Sequence, residues 1–248
     1  MTPIFRIDDI GASTKHFNQH GKKHVKLFGK IPFYFPFANV GFFKRVEPFR
    51  GWAVYDELTV NEWKDILMVF KEHSIVPIIA VTATWVERDG MLTPFPQKFP
   101  GEALLLKEAL HRGEIMIANH GLTHCVVGKH LPRFWSSNRK YQREFLPELP
   151  KETHREHIVH SQDILESYFE RPIDILVPPG NLWSIKTYQA LHGTNITKVM
   201  CNRYMRDSDE PMHGIDFIPD TKDMAVFHDR ELKLYGTQWL REKIKSVM

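Results

Sequence analysis

Residues 114–124 read Glu114-Ile-Met-Ile-Ala-Asn-His-Gly-Leu-Thr-His124, an apolar strand that runs into two histidines four positions apart. Upstream, Gly101–Arg112 has the pattern of a helix and Val76–Val81 that of another buried strand. Strand, helix, strand in that order is the βα unit of a parallel sheet, whose strands are covered on both faces and so read as continuous apolar runs. The same reading outward gives strands at Ile4–Asp8, Ile173–Val177, Lys198–Cys201, Asp216–Ile218 and Met224–His228, seven in all. Thr59-Val-Asn-Glu62 is a capping box ahead of Trp63, Ile66, Leu67 and Phe70 at helical spacing. Residues 151–170 form a further helix, and Ser184 and Thr237 read as N-caps of two more. The alternation defines an α/β protein.

Of the 248 residues 42% are hydrophobic, enough for one large core, so residues 1–248 read as a single domain. Two stretches depart from the alternation and read as insertions, at about 11–50 and 129–150. Lys and Arg number 33 against 30 Asp and Glu, which gives no reason to expect a nucleic-acid partner. The two cysteines, Cys125 and Cys201, make neither a disulfide framework nor a structural zinc set. No leader-like segment opens the chain, and the longest apolar run, Val76–Trp85, falls far short of the roughly 20 residues of a spanning helix. These features lead us to expect a cytoplasmic protein, which can still touch the inner membrane surface.

Polar side chains gather where the strands end. Arg6-Ile-Asp-Asp-Ile-Gly11 places Asp8 and Asp9 before a glycine turn, either as site carboxylates or as one turn cap and one solvated group. Alternation along a strand points adjacent residues to opposite faces, so different roles suit the two better than a symmetric dyad. His120 and His124 can meet one ion, although with 14 histidines other i, i+4 pairs exist, such as His16 and His20. No Glu lies between them, so a general base must come from elsewhere, and Asp8 or Asp9 can supply it. Met224-Ala-Val-Phe-His228 is an apolar strand ending in a histidine. Val177-Pro-Pro-Gly-Asn-Leu-Trp183 is a rigid loop whose Asn181 and Trp183 either face a sugar beside Pro179 or form a turn over a core tryptophan.

Taken in order, Asp-Asp, His-x-x-x-His, a Pro-Pro loop and a strand ending in His resemble the polysaccharide deacetylases of the NodB-homology, carbohydrate esterase 4 type, over residues 4–229. The resemblance implies a distorted (β/α)7-type barrel. It makes Asp8 the general base, Asp9, His120 and His124 the ligands of a divalent metal, most simply Zn2+, and His228 the general acid. Two departures mark a divergent branch. Asp-Asp-Gly is stretched to Asp8-Asp9-Ile10-Gly11, and the arginine that precedes the Pro-Pro loop in the family is Val177 here, leaving Arg6 or Arg203 to orient the base. The implied reaction is de-N-acylation, most simply deacetylation, of an amino sugar carried as a nucleotide- or lipid-linked precursor, with Arg203 also among the substrate contacts. Two histidines and a carboxylate also describe a non-haem iron oxygenase. A third reading is a degenerate barrel that binds carbohydrate without turnover, suggested by Trp85, Trp135 and Trp183 as exposed platforms. Residues 22–45 flank Phe33, Tyr34, Phe35 and Phe37 with lysines, either as a lid packed on the barrel or as a peripheral contact with an anionic membrane. Nothing in the sequence gives an oligomeric state.

Overall fold

The structure, a computed structural model, describes residues 3–27, 29–221 and 224–248; Phe28, inside the basic and aromatic stretch, lies outside them. Its centre is a seven-stranded sheet built from β1 (Ile4–Ile10), β2 (Ile78–Val81), β3 (Met116–Asn119), β4 (Ile175–Leu176), β5 (Lys198–Cys201), β6 (Asp216–Pro219) and β7 (Met224–His228). The spatial order is β6-β5-β4-β3-β2-β1-β7, every neighbouring pair is parallel, and the sheet curls into an open half-barrel. All seven expected strands are present, and the α/β barrel class holds.

Around the sheet run α1 (Val60–Glu72), α2 (Pro100–His111), α3 (Lys151–Phe169), α4 (Ile185–Leu191) and α5 (Asp229–Val247). The capping box before α1 is made as expected: the Thr59 backbone N–H donates to Glu62 Oε2 at 2.7 Å and the Glu62 N–H to Thr59 Oγ1 at 3.4 Å. The last helix consists of two segments joined across a kink at Gly236, φ 68°, so its final segment does start at Thr237, with Gly236 in the non-helical position ahead of it.

Alternation along each strand divides the core into two layers. Phe5 and Ile7 of β1 and Ile79 and Val81 of β2 face outward, packing with Trp63, Phe70, Leu106 and Leu240 of the helices. Ile78, Ala80, Ala118, Ile175, Val177 and Met200 fill the barrel interior. On β1 the inward positions are Arg6 and Asp8, both buried, so that strand carries charge where its neighbours carry small apolar groups.

Both insertions leave from carboxyl ends of strands, and they pack on each other. Asn138 Nδ2 donates to the Phe17 carbonyl at 2.6 Å, its Oδ1 accepts the Gln19 N–H at 2.8 Å, and Lys44 Nζ donates to the Arg133 carbonyl. Together they wall the barrel mouth. Phe35 packs into a ring cluster with Phe43 and Phe49 of its own insertion, but Phe33, Tyr34, Phe37 and Phe42 are exposed, so a lid that buries all these rings is not what forms.

Candidate active site

Asp8 and Asp9 reach one cavity although they are neighbours on a strand. The register of β1 against β2 shifts between Ile7 and Ile10, and Asp9 takes φ 71°, a left-handed conformation that Asp tolerates better than most residues. The bulge turns Asp9 to the side Asp8 already faces, overriding the expected alternation. It is pinned from behind: the Ala12 N–H and the Lys15 ammonium both donate to the Asp9 carbonyl. Lys15 is fully buried, 2.6 Å from Asp229 Oδ2 and 3.3 Å from Glu57 Oε2, and Tyr55 donates its hydroxyl to Asp229 Oδ1 at 2.9 Å. Burial works against the Lys15 charge, but Asp229, Glu57 and Asp9 outweigh it and raise its pKa. Burial, with Glu57 and Asp9 close by, raises Asp229 against the pull of Lys15.

Asp8 is held by Arg6, two residues away on the same face of β1. Arg6 Nε donates to Asp8 Oδ1 at 2.8 Å and Nη2 to Oδ2 at 3.1 Å, while Nη1 reaches Asp220 Oδ1 at 2.8 Å. A fork that grips both oxygens fixes the carboxylate plane. Of the two arginines expected to orient the base, Arg6 contacts Asp8, whereas the exposed Arg203 offers its carbonyl to the Trp183 indole and lends its side chain to the cavity wall.

The histidine loop is shaped by one buried carboxylate. Glu144 accepts the backbone N–H groups of Leu122 at 2.9 Å, Thr123 at 3.1 Å and His124 at 2.8 Å, and pairs with His157 Nδ1 at 2.8 Å. Burial alone would raise its pKa, but His157 and these donors hold it below the ordinary value. Gly121, at φ 80°, has no room for a Cβ, which would lie 2.1 Å from Glu144 Oε2. The loop brings His120 Nε2 to 3.2 Å and His124 Nε2 to 3.0 Å from the same Asp9 oxygen. His120 Nδ1 donates to the Val177 carbonyl at 2.7 Å, which leaves Nε2, the nitrogen facing Asp9, as the one that would ligate an ion.

The three residues fit a divalent ion. One ligand atom from each of Asp9, His120 and His124 lies within 4.8 Å of the others, all three residues are buried, and two imidazoles with one carboxylate are the donor set of an open catalytic site. Burial disfavours the Asp9 charge, yet His228 and His124, with bonds from both histidines, hold its pKa well below the usual range.

His228 ends β7, in register with Asp8 of β1. Its ring is 47% exposed at the side chain, and Glu231 Oε2 lies 3.4 Å from Nδ1. Desolvation opposes its charge, but Asp9, Glu231 and Asp8 raise its pKa to about 10. Asp8, Asp9, His120, His124 and His228 all line one cavity of about 1060 Å3, at the upper limit of ordinary ligand pockets. Asn181 and Trp183 also border it. Asn181 Oδ1 accepts the Asn202 N–H at 3.4 Å, while Trp183 is buried, stacked on Phe217, with its N–H donated to Arg203 O at 2.9 Å. The buried Pro179 shapes the loop beside Gly121. Trp85 is buried as well, so of the three tryptophans expected to be exposed only Trp135 is.

Sequence reasoning passed over Lys15, Glu57, Asp229, Glu144, His157 and Asp220. Asp229 had one cue, its place directly after His228; the others come from loops and helices distant in the chain and had none.

The family model described as polysaccharide deacetylase matches residues 49–199, more than half of the chain. The chain belongs to the polysaccharide deacetylase family. Among solved structures it resembles a carbohydrate esterase 4 family pseudoenzyme from Bacillus anthracis, at 10% identity and a TM-score of 0.46, covering 76% of this chain and 56% of that one. It also resembles IcaB from Ammonifex degensii, at 15% identity and a TM-score of 0.45, covering 78% and 71%. A third is the BpsB deacetylase domain from Bordetella bronchiseptica, at 13% identity and a TM-score of 0.42, covering 67% and 69%. This chain thus spans little more than half of the first of these structures. No curated protein matches it. Among the described residues no helix is long and apolar enough to cross a membrane.

Proposed function

We propose that the protein is a zinc-dependent de-N-acylase of an amino sugar carried as a nucleotide- or lipid-linked precursor. The observation that carries this reading is a carboxylate outside the Asp9–His120–His124 triad, Asp8, clamped at both oxygens by Arg6 in the same cavity. A divalent ion on the triad would supply Lewis acidity to water and to the amide carbonyl. Asp8 is the base: its clamped carboxylate takes a proton from the water that attacks the amide carbon. His228, one strand over, whose pKa is raised by Asp9, Glu231 and Asp8, gives its proton to the departing amine nitrogen, so the C–N bond breaks to a carboxylate and an amine. An oxygenase built on the same triad has no use for a separate clamped base, and the buried indoles of Trp85 and Trp183 remove two of the three platforms of the binding-only reading.

The exposed rings of Phe37 and Phe42, in the same insertion as the exposed Lys22, Lys23, Lys26 and Lys30, support peripheral contact of residues 22–45 with an anionic membrane when the carrier is a lipid. Salt-sensitive cosedimentation with anionic vesicles, lost in a Phe37→Ser, Phe42→Ser double mutant, tests that contact. The activity is tested by mass spectrometry of zinc-loaded protein with N-acetylated and N-formylated sugar nucleotides and lipid-linked sugars, with oxygen and without it. Oxygen-independent loss of one acyl group is expected. No acyl loss from any of these amides, or turnover only with oxygen, would overturn the reading.

A further inference from the structure

The wall of the cavity away from the triad is built from arginines. Arg139 and Arg143 come from the second insertion, Arg203 and Arg206 from the loop after β5, and all four line the cavity that holds Asp8 and Asp9. Among the described residues none of these four guanidinium groups makes an ion pair or a side-chain hydrogen bond. Among the described residues Asp8 and Asp9 are the only carboxylates of the cavity lining, and both are engaged, by Arg6 and by the two histidines. Glu148, which lies within the field of Arg206, is held by Lys140 at 2.8 Å, and Asp207, next in the chain, accepts the Ile185 N–H at 3.0 Å.

These guanidinium groups are close enough to repel one another. Burial first, then Arg139 and Arg206, push the Arg143 pKa down. His20, on the same lining, is pushed down to about 4 by burial and by Arg139 and Lys22. Mutual repulsion among like charges costs stability, and an anionic ligand bound on this wall would relieve it. Arg143 is also fixed in place. Its side chain lies across Gly180 of the Pro-Pro loop, where a Cβ would be 2.7 Å from Arg143 Cγ, so the cluster starts beside the loop that orients His120.

We infer that Arg139, Arg143 and Arg206, flanked by Arg203, form a subsite for a diphosphate group attached to the substrate. Four guanidinium groups on one cavity wall match an anion of more than one charge with many acceptor oxygens, and this favours a diphosphate over the single carboxylate of an acidic sugar. A cavity of about 1060 Å3 has room for a sugar at the triad and a linked group at the arginines. The subsite rests on the amide-hydrolase reading only for the identity of what the diphosphate carries; the anion site itself is independent of turnover.

The test is calorimetric titration of the protein with inorganic pyrophosphate, then with uridine diphosphate and with vesicles containing a polyprenyl diphosphate. Binding of pyrophosphate that weakens with salt is expected, with a loss of about tenfold or more in Arg143→Gln and again in Arg206→Gln, and a smaller loss in Arg143→Lys, which keeps the charge without the fork. His120→Ala should bind pyrophosphate as the wild type does, since a metal is not the anchor. Thermal melts of each variant separate lost binding from lost folding, and Arg206, exposed, is the variant least coupled to the fold. Tighter binding of uridine diphosphate assigns a nucleotide carrier, and tighter binding of the vesicles a lipid one. No pyrophosphate binding at millimolar concentration, or binding lost in His120→Ala and kept in the folded arginine variants, would overturn the subsite. Hydrolysis of neutral N-acetylated oligosaccharides with no inhibition by pyrophosphate would remove the subsite and leave the hydrolase, whereas pyrophosphate binding without hydrolysis of any amide would do the reverse.

Discussion

Replacing Arg6 separates its two tasks, since the residue both neutralises buried carboxylates and aims one of them. Its side chain is fully buried between Asp8 at 2.8 Å and Asp220 at 2.8 Å. In Arg6→Met both carboxylates lose their partner, and breaking a buried pair from one side costs about 3–5 kcal/mol. At roughly 2–4 °C per kcal/mol for a chain of this size, the melting temperature should fall by roughly 6–20 °C. Arg6→Lys keeps the charge, but a single ammonium cannot grip both Asp8 oxygens and Asp220 as the fork does. It should melt within a few degrees of the wild type and still lose turnover by about 10²-fold, the scale of a misplaced catalytic group, with KM little changed. Thermal unfolding followed by circular dichroism and steady-state deacylation of whichever amide the screen identifies would measure both. Turnover near that of the wild type in a folded Arg6→Lys protein would refute Arg6 as the orienting arginine; an Arg6→Met protein melting within 2 °C of the wild type would refute the buried network.

Three further outcomes follow from the site. His120→Ala should lose the divalent ion while keeping the barrel, because the core clusters lie elsewhere; full occupancy by elemental analysis would remove His120 from the ligand set. His228, raised to about 10, should titrate there in metal-free protein by NMR, adding stability that is complete below its unfolded pKa of about 6.5 and lost as pH rises through 10. The high-pH fall in stability should vanish in His228→Gln, and a midpoint near 6.5 in the native state would contradict the carboxylate field around it. Glu144→Gln keeps shape but loses the charge that three loop N–H groups and His157 face, so zinc affinity should drop by about tenfold or more, and unchanged affinity would show that the loop holds its shape without that charge.

The strands were legible because burial on both faces leaves long apolar runs, and the residues closing those runs, Asp8, Asp9, His120, His124 and His228, were legible because barrels place chemistry at strand ends. The convergence of Asp8 and Asp9 was not. Alternation is the default for a strand, and a left-handed aspartate held by a buried lysine six residues on leaves no local mark in the sequence. Trp85 and Trp183 misled for a related reason, since an indole in a loop reads the same whether its N–H faces solvent or a carbonyl such as that of Arg203. Glu144, His157 and Asp220 escaped because ion pairs across 13 to 214 positions are set by topology, which periodicity does not report.

Charge balance gives a separate reason why the triad suits a divalent cation. Asp8, Asp9, Glu57, Asp220 and Asp229 form one bank of carboxylates at the carboxyl end of β1, threaded by Arg6 and Lys15 and faced by the imidazolium of His228. Glu231 and Arg230 at its edge add one charge of each sign. Five carboxylates against three cations leave two negative charges in a low-dielectric setting, where uncompensated charge is costly. The direction of one shift agrees: against desolvation, Asp9, Glu231 and Asp8 raise His228, which favours the imidazolium counted here. A dication on Asp9, His120 and His124 brings the bank to neutrality at the point where the carboxylates converge. The arginine wall lies across the same cavity with its charges unmatched, so the two ends differ in kind: one calls for a cation, the other for an anionic substrate. A substrate with its amide near Asp8 and its negative charge on Arg143 satisfies both ends at once, and it can bind in only one direction.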